Sequence, residues 1–188
     1  YVSSQIGPML KLADEACGGL ALCERIANSG NVFVLVYKNI TDLETRIPRS
    51  INGYRVVRLR GGYPAESRTL RLGLGRGRKL LVGAGALIHF YRAVYRQIRQ
   101  TTAFVRVAGG CVANPMNLEV SLGMTLMQLL ERCGLSASPT RVVSGGPMTG
   151  ISVLDPDKTL VTPTTRAVLA FRESKLDRLY TCIGCGRC

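Results

Sequence analysis

The last seven residues, Cys182-Ile183-Gly184-Cys185-Gly186-Arg187-Cys188, constrain the chain more than any other stretch. Three thiols recur at i, i+3 and i+6. This spacing opens the run C-x2-C-x2-C-x3-C-P, whose thiolates wrap a [4Fe–4S] cluster. Small residues between the thiols let the backbone curl around a compact inorganic core, and glycine supplies the unusual dihedrals such a loop needs. The expected ligands are Cys182, Cys185 and Cys188. The fourth is expected outside this chain, which reads as a piece of an electron-transfer protein cut inside its cluster segment.

Other uses of these thiols fit less well. Zinc sites pair C-x2-4-C units across a spacer, whereas here Cys185 is shared by two spacings. Seven cysteines in 188 residues are an odd number and make a poor disulfide framework. Cys17, Cys23, Cys111 and Cys133 fall in apolar or turn settings and read as core thiols. Unpaired thiols beside a cluster motif point to a reducing cytoplasm. No run of about 18 apolar residues offers a membrane span. The opening Tyr1-Val2-Ser3-Ser4-Gln5 has neither the basic region nor the apolar stretch of a signal peptide, and it lacks an initiator Met, which again suggests a fragment.

The net charge of +13 is concentrated. Between Arg46 and Arg106 stand thirteen arginines and Lys79 against one acid, Glu66; the remaining basic and acidic residues balance. Such a block is a footprint for an anionic partner: phosphate, an acidic protein, a lipid surface or nucleic acid. A solvated surface, or arginines that pair with acids of a neighbouring protein, explains it equally well.

Periodicity predicts an amphipathic helix over Pro8–Ile26, with Leu12, Ala16, Leu20 and Cys23 on its apolar face and Asp14, Glu15 and Arg25 elsewhere. Val32–Tyr37 is an unbroken apolar run, as in a strand of a parallel sheet. A short helical stretch after Thr41 is broken by Pro48–Gly53. Strands are expected at Tyr54–Leu59 and Lys79–Val82, then a helix to about Gln100. This alternation predicts part of an α/β layer fold. Beyond Thr101 the pattern changes. Strands at Phe104–Val107 and Leu118–Ser121 flank a Gly109-Gly110 turn and an Asn114-Pro115 loop. Thr125 and Gln128 form a capping box for a helix that Gly134 ends. Strands at Arg141–Val143 and Val168–Phe171 complete the strand, strand, helix, strand, strand order of an α+β, ubiquitin-like β-grasp domain.

These segments, in this order, resemble the family of the C subunit of the Rnf electron-transport complex, related to the cobalamin reductase of propanediol utilisation and to the flavoprotein subunit of respiratory complex I. The likeness rests on Tyr63-Pro64 before a helix, Val105–Gly109 followed by Asn114-Pro115, Ser144–Gly150, and the terminal Cys-x2-Cys-x2-Cys. It implies three regions: a partial α/β, FMN-domain-like region over 1–100, a soluble-ligand-binding β-grasp (SLBB) domain over 101–172, and a linker with the start of a ferredoxin-type segment over 173–188. The family passes electrons from NADH through FMN to [4Fe–4S] clusters. The implied partners are other electron-transfer subunits or redox proteins. The implied location is the cytoplasm, the cytoplasmic membrane face or a bacterial microcompartment. Cobalamin is a possible small ligand of the β-grasp module. The family's Gly-rich flavin and nicotinamide loop has no equivalent in this chain. Where relatives hold FMN with polar side chains, it has Gly83-Ala84-Gly85-Ala86. The expectation is therefore against FMN and NADH on this segment.

Other constellations carry less. Gly83-x-Gly85, between an expected strand and a helix, resembles half a dinucleotide fingerprint. Ile88 occupies the third position and no acid follows at the usual distance, so a tight turn explains it better. Gly73–Arg78 reads as a basic loop, and His89, the sole histidine, as a packing residue. Arg92, Arg96 and Arg99 share one helix face, with Tyr91, Tyr95 and Ile98 on another; the basic face could dock an acidic partner or nucleic acid, and a solvated outer face over an aromatic-packed inner one explains it equally well. In the resembling family the Gly145-Gly146-Pro147-Met148 loop packs the β-grasp module against neighbouring domains, which is the expectation here, with a ligand site as the alternative. Two readings follow: an electron-transfer subunit, or a non-catalytic basic module that recruits an anionic partner.

Overall fold

A computed structural model describes residues 5–28, 30–37, 47–59, 80–147, 149–172 and 184. The chain divides into two compact units, one over Met9–Arg99 and the other over Gln100–Gly186, which also takes in the residues just before Met9.

The helix expected over Pro8–Ile26 is two helices, α1 (Ile6–Lys11) and α2 (Ala13–Ala27). Leu12 breaks them with φ −120° and ψ 43°, outside helical values. Pro8 is tolerated because it sits in the first turn of α1, where N–H groups have no helical partner. The buried face of α2 also departs from expectation. It consists of Glu15, Ala16, Cys17 and Gly19, so Glu15 lies inside rather than on the solvent side. The cause is the helix it meets, α3 (Ala84–Arg96). A Cβ on Gly19 would fall on the Leu87 carbonyl, and one on Gly18 on the Tyr91 ring. The two helices thus approach to backbone distance, and the flanking residues are buried with them.

A three-stranded sheet completes this unit: β1 (Val34–Tyr37), β2 (Ser50–Ile51) and β3 (Tyr54–Leu59), in the order β1-β3-β2. β1 and β3 are parallel, with Val34 opposite Val56. The segment expected only to break a helix, Pro48–Gly53, contains β2 and a hairpin turn. Asn52 and Gly53 have φ of 46° and 84°. Positive φ at both central residues is the requirement of a type I′ turn, which Asn-Gly meets with least strain. Three side-chain bonds tie α2 to this hairpin: Asn52 to Asp14, Tyr54 to Glu24, and the Cys17 thiol to the Ile51 carbonyl. Leu80–Val82 form no strand, contrary to expectation; Leu80 is 75% exposed. A short apolar run needs a ladder partner to become a strand, and none of the described strands pairs with it. α3 ends at Arg96 rather than near Gln100. Gln97 turns left-handed at φ 55° and the Ile98 N–H reaches back to the Arg92 carbonyl, closing the helix.

The second unit is a mixed five-stranded sheet with one helix. Its strands are β4 (Thr102–Ala108), β5 (Met116–Ser121), β6 (Arg141–Ser144), β7 (Ile151–Val153) and β8 (Ala167–Phe171). Their order is β5-β4-β8-β6-β7, with β4 and β8 parallel at the centre and every other pair antiparallel. This is β-grasp topology. The helix, α4 (Leu126–Arg132), begins with the expected capping box: the Thr125 hydroxyl accepts from the Gln128 N–H, and the Gln128 side chain accepts from the Thr125 N–H. Gly134 follows its end at φ 74°. Leu126, Leu129 and Leu130 are fully buried against Val105, Val107, Val142, Val168 and Ala170. Burial of each such side chain stabilises the fold by about 1.5–3 kcal/mol.

The close approach of α2 and α3 makes Gly19 the sensitive position of the first unit. Gly19→Ala is expected to destabilise that unit by about 1–3 kcal/mol, since backbone cannot yield as a side chain would. Gly30→Ala, where nothing lies within 4 Å, should change stability by less than about 0.5 kcal/mol. Urea unfolding followed by circular dichroism checks both, and equal effects would remove the close-packing argument.

Candidate functional site

Cys182, Cys185 and Cys188 lie outside the described residues. One residue of their run is described: Gly184 has φ 67°, in the left-handed region, and nothing lies within 4 Å of where its Cβ would be. Glycine adopts this conformation without strain. Three cysteine thiolates are the donor type that iron–sulfur clusters take.

The other thiols are not gathered. Cys17 on α2 and Cys133 after α4 are buried, Cys23 is half-buried, and Cys111 is buried in the β-grasp core. Burial, and then the Asp14 carboxylate, raise the Cys17 pKa above its usual value. Burial likewise raises Cys23, and raises Cys133 against the opposing pull of Arg132. Groups held as neutral thiols are poor metal ligands, which must be thiolates. Among the described residues no three His, Cys, Asp or Glu side chains cluster as a metal site.

Gly83 and Gly85 sit at the start of α3. Gly83 is the N-cap, extended at φ −75° and ψ 149°, and its carbonyl accepts from Leu87 N–H at 3.1 Å. Gly85 is buried in the first turn. No side chain caps the helix and no acid stands in its first turn. Since Leu80–Val82 form no strand, the strand-turn-helix setting of a dinucleotide fingerprint is not met by the described residues.

The basic block is partly used inside the fold. Arg92 Nε donates to Glu15 Oε2 at 2.6 Å, and Arg96 Nη1 donates to Glu15 Oε1 at 2.9 Å. The Arg96 guanidinium also lies 5.8 Å from the centre of the Tyr91 ring. Arg58 donates to the Ile47 carbonyl at 2.7 Å. The arginine face read as a docking surface for an acidic partner is therefore, at Arg92 and Arg96, the other half of the α2–α3 interface. Sequence reasoning misses Glu15 as their partner. The available signal is its place beside Ala16, on a helix whose Gly18-Gly19 pair marks a close approach. Arg49, Arg55 and Arg99 remain exposed.

The Gly145–Gly150 loop, expected to pack between domains, joins β6 to β7. The Gly150 N–H bonds to the Gly146 carbonyl at 2.7 Å. A Cβ on Gly150 would meet that same oxygen at 2.6 Å, so the turn's own closeness accounts for this glycine.

Fold and sequence together define the class: residues 104–152 match the SLBB domain, in agreement with the β-grasp topology. The whole chain is similar to the C subunits of three ion-translocating complexes. It is 24% identical to the C subunit of the proton-translocating ferredoxin:NAD(+) oxidoreductase complex of Clostridium ljungdahlii, covering 45% of that protein. It is 23% identical to the C subunit of the Na(+)-translocating ferredoxin:NAD(+) oxidoreductase complex of Acetobacterium woodii, covering 46%. It is 26% identical to the C subunit of the ion-translocating oxidoreductase complex of Rhodobacter capsulatus, covering 40%. Each likeness runs the full length of this chain, so the resemblance to the Rnf C-subunit family holds throughout it. The chain spans less than half the length of these relatives. No helix among the described residues is long and apolar enough to cross a membrane.

The Glu15 cluster yields a graded expectation. The Arg92 side chain is 16% exposed and that of Arg96 50%, against a Glu15 side chain at 11%. Arg92→Met leaves a buried carboxylate short of its main partner and should cost about 2 kcal/mol or more. Arg96→Met should cost less than about 1 kcal/mol, because water screens that pair. Chemical denaturation of the two variants checks the order; a reversed order would refute this reading of the cluster.

Proposed function

We propose that this chain is part of an electron-transfer subunit of an Rnf-type ion-translocating oxidoreductase complex, with Cys182, Cys185 and Cys188 ligating one [4Fe–4S] cluster. The observation that carries the proposal is the full-length likeness to three such subunits in a chain that also holds the Cys-x2-Cys-x2-Cys run. The left-handed Gly184 supports it. The bound cluster would supply one-electron redox chemistry. The chain's own part is to hold three thiolates at a fixed place and to shape their surroundings. The β-grasp unit would position that segment against the other subunits of the complex. Such a subunit would sit peripherally, on the cytoplasmic face of the membrane. The named relatives belong to ion-translocating complexes, so the proposal takes that branch rather than the cobalamin reductase branch. It places neither FMN nor NADH on this segment, because Gly83–Ala86 offer backbone alone. Of the exposed described cations of the block, Arg58 and Arg96 already bond within the fold, and the other reading, a basic module for an anionic partner such as nucleic acid, is carried there by Arg49, Arg55 and Arg99.

The test is iron and sulfide analysis of anaerobically purified full-length protein, with its electron paramagnetic resonance spectrum after reduction. Cys185→Ser should lower iron by about four atoms per chain and remove one cluster signal. Unchanged iron and spectrum in that variant would sink the ligand assignment.

A further inference from the structure

Among the described strands, β7 is an edge of the β-grasp sheet. β7 pairs with β6 on one side, and no described strand pairs with it on the other. The residues along this edge are unusually apolar for solvent: Ile151 is 76% exposed and Leu154 99%. Edge strands are ordinarily kept short or flanked by charge and proline, because their open N–H and C=O groups will pair with another chain; β7 is three residues long and Asp155-Pro156 follow Leu154, yet Ile151 and Leu154 still present apolar side chains to solvent. Beside it lies a cleft of about 430 Å³ between α4, β6, β7 and the turn that follows. Its apolar lining includes Met127, Leu135, Val142 and Val153. Glu131 and Asp157 line the same cleft, and Leu154 stands at its edge. In a chain of net charge +13 an acidic cleft is out of character. Neighbouring Asp155 is already paired to Lys158 at 2.7 Å, which leaves Glu131 and Asp157 as the acids facing the cleft. Arg141, whose guanidinium lies 5.6 Å from the Phe171 ring centre, is not among the residues that line the cleft.

The geometry points to a protein-docking site, in which an extended segment of a partner adds as a sixth strand along β7. It would place an apolar side chain in the cleft and a lysine or arginine against Glu131 and Asp157. Main-chain bonds to an edge strand supply affinity in this mode, and a side-chain cleft beside it supplies selectivity. The charge pattern selects a basic, apolar segment and disfavours an acidic one. This inference does not rest on the cluster assignment; a protein without iron would still bind.

A fluorescein-labelled nine-residue peptide of alternating lysine and leucine, titrated into the full-length protein by fluorescence anisotropy, tests it. Saturable binding with a Kd below about 1 mM is expected. A Glu131→Lys, Asp157→Lys double variant and a Leu154→Lys variant should each bind about tenfold more weakly or worse. All three positions lie at the surface, so folding should survive, and an unchanged circular dichroism melt confirms that it does. Hydrogen exchange at Ile151–Val153 should slow when the peptide binds. A wild-type protein that does not bind, variants that bind equally well, or tighter binding of a glutamate–leucine peptide would each overturn the assignment. Binding without protection of β7 would refute strand addition.

Discussion

The parallel pairing of β4 with β8 is the constraint on which the second unit depends. Parallel neighbours cannot be joined by a hairpin, so the chain must leave the sheet and return. Between Ala108 and Ala167 it lays down β5, crosses through α4, and adds β6 and β7. The crossover helix must then cover the sheet, and it does so with Leu126, Leu129 and Leu130, none of them exposed. The return places β8 at the centre, hydrogen-bonded on both sides. Val168, Leu169 and Ala170 are each at most 1% exposed. A strand so held is the last to yield when a domain opens locally. Ten positions beyond Arg172 comes the first of the three expected ligands. A segment that holds a redox centre, as proposed for this one, would gain from following the best-secured strand in the chain.

In the first unit the governing interaction is the glycine-mediated contact of α2 and α3. Helices that approach this closely bury whatever stands beside the contact, charged or not. Glu15 is buried for this reason, and a buried carboxylate is tolerable only with partners. Arg92 and Arg96, one turn apart on α3, both reach it. One acid engaged by two bases leaves local charge positive, so the cluster neutralises little of the basic block and still commits two of its arginines to structure. The sequence count therefore overstates how much of the block is available to a partner.

Local rules make much of the β-grasp unit legible in the sequence. The Thr125–Gln128 capping box, the Gly134 stop and the alternating strand at Phe104–Val107 need only neighbours within a few residues. β7 is not legible: three residues, two of them exposed, carry no buried alternation, and register alone marks them as a strand. β2 is legible in principle, since Asn52-Gly53 is a strong hairpin signal, but Pro48 beside it signals a break and hides the turn. The apolar run at Leu80–Val82 misleads because apolarity does not supply a ladder partner. Glu15 escapes because helical periodicity ranks faces by hydrophobicity, while the real buried face is chosen by a long-range contact with Leu87 and Tyr91. The thiol run stands apart: its proposed chemistry rests on spacing alone, and its cysteines lie outside the described residues.

A β-grasp fold by itself does not assign a function, for such folds serve many. A thiol run by itself assigns a chemistry but no setting. Their succession is more restrictive than either, because a β-grasp domain immediately precedes the residues proposed as ligands of an electron-transfer centre. Electron flow between proteins requires that redox centres be held close for long enough, which is a task of docking rather than of bond-making. The β-grasp unit would suit that task physically: its core is closed by α4, its centre by the β4–β8 pair, and no described strand pairs with the outer edge of β7. The fold thus concentrates its stability at the middle of the sheet and leaves its unmet hydrogen-bonding capacity at a rim, where a partner can use it.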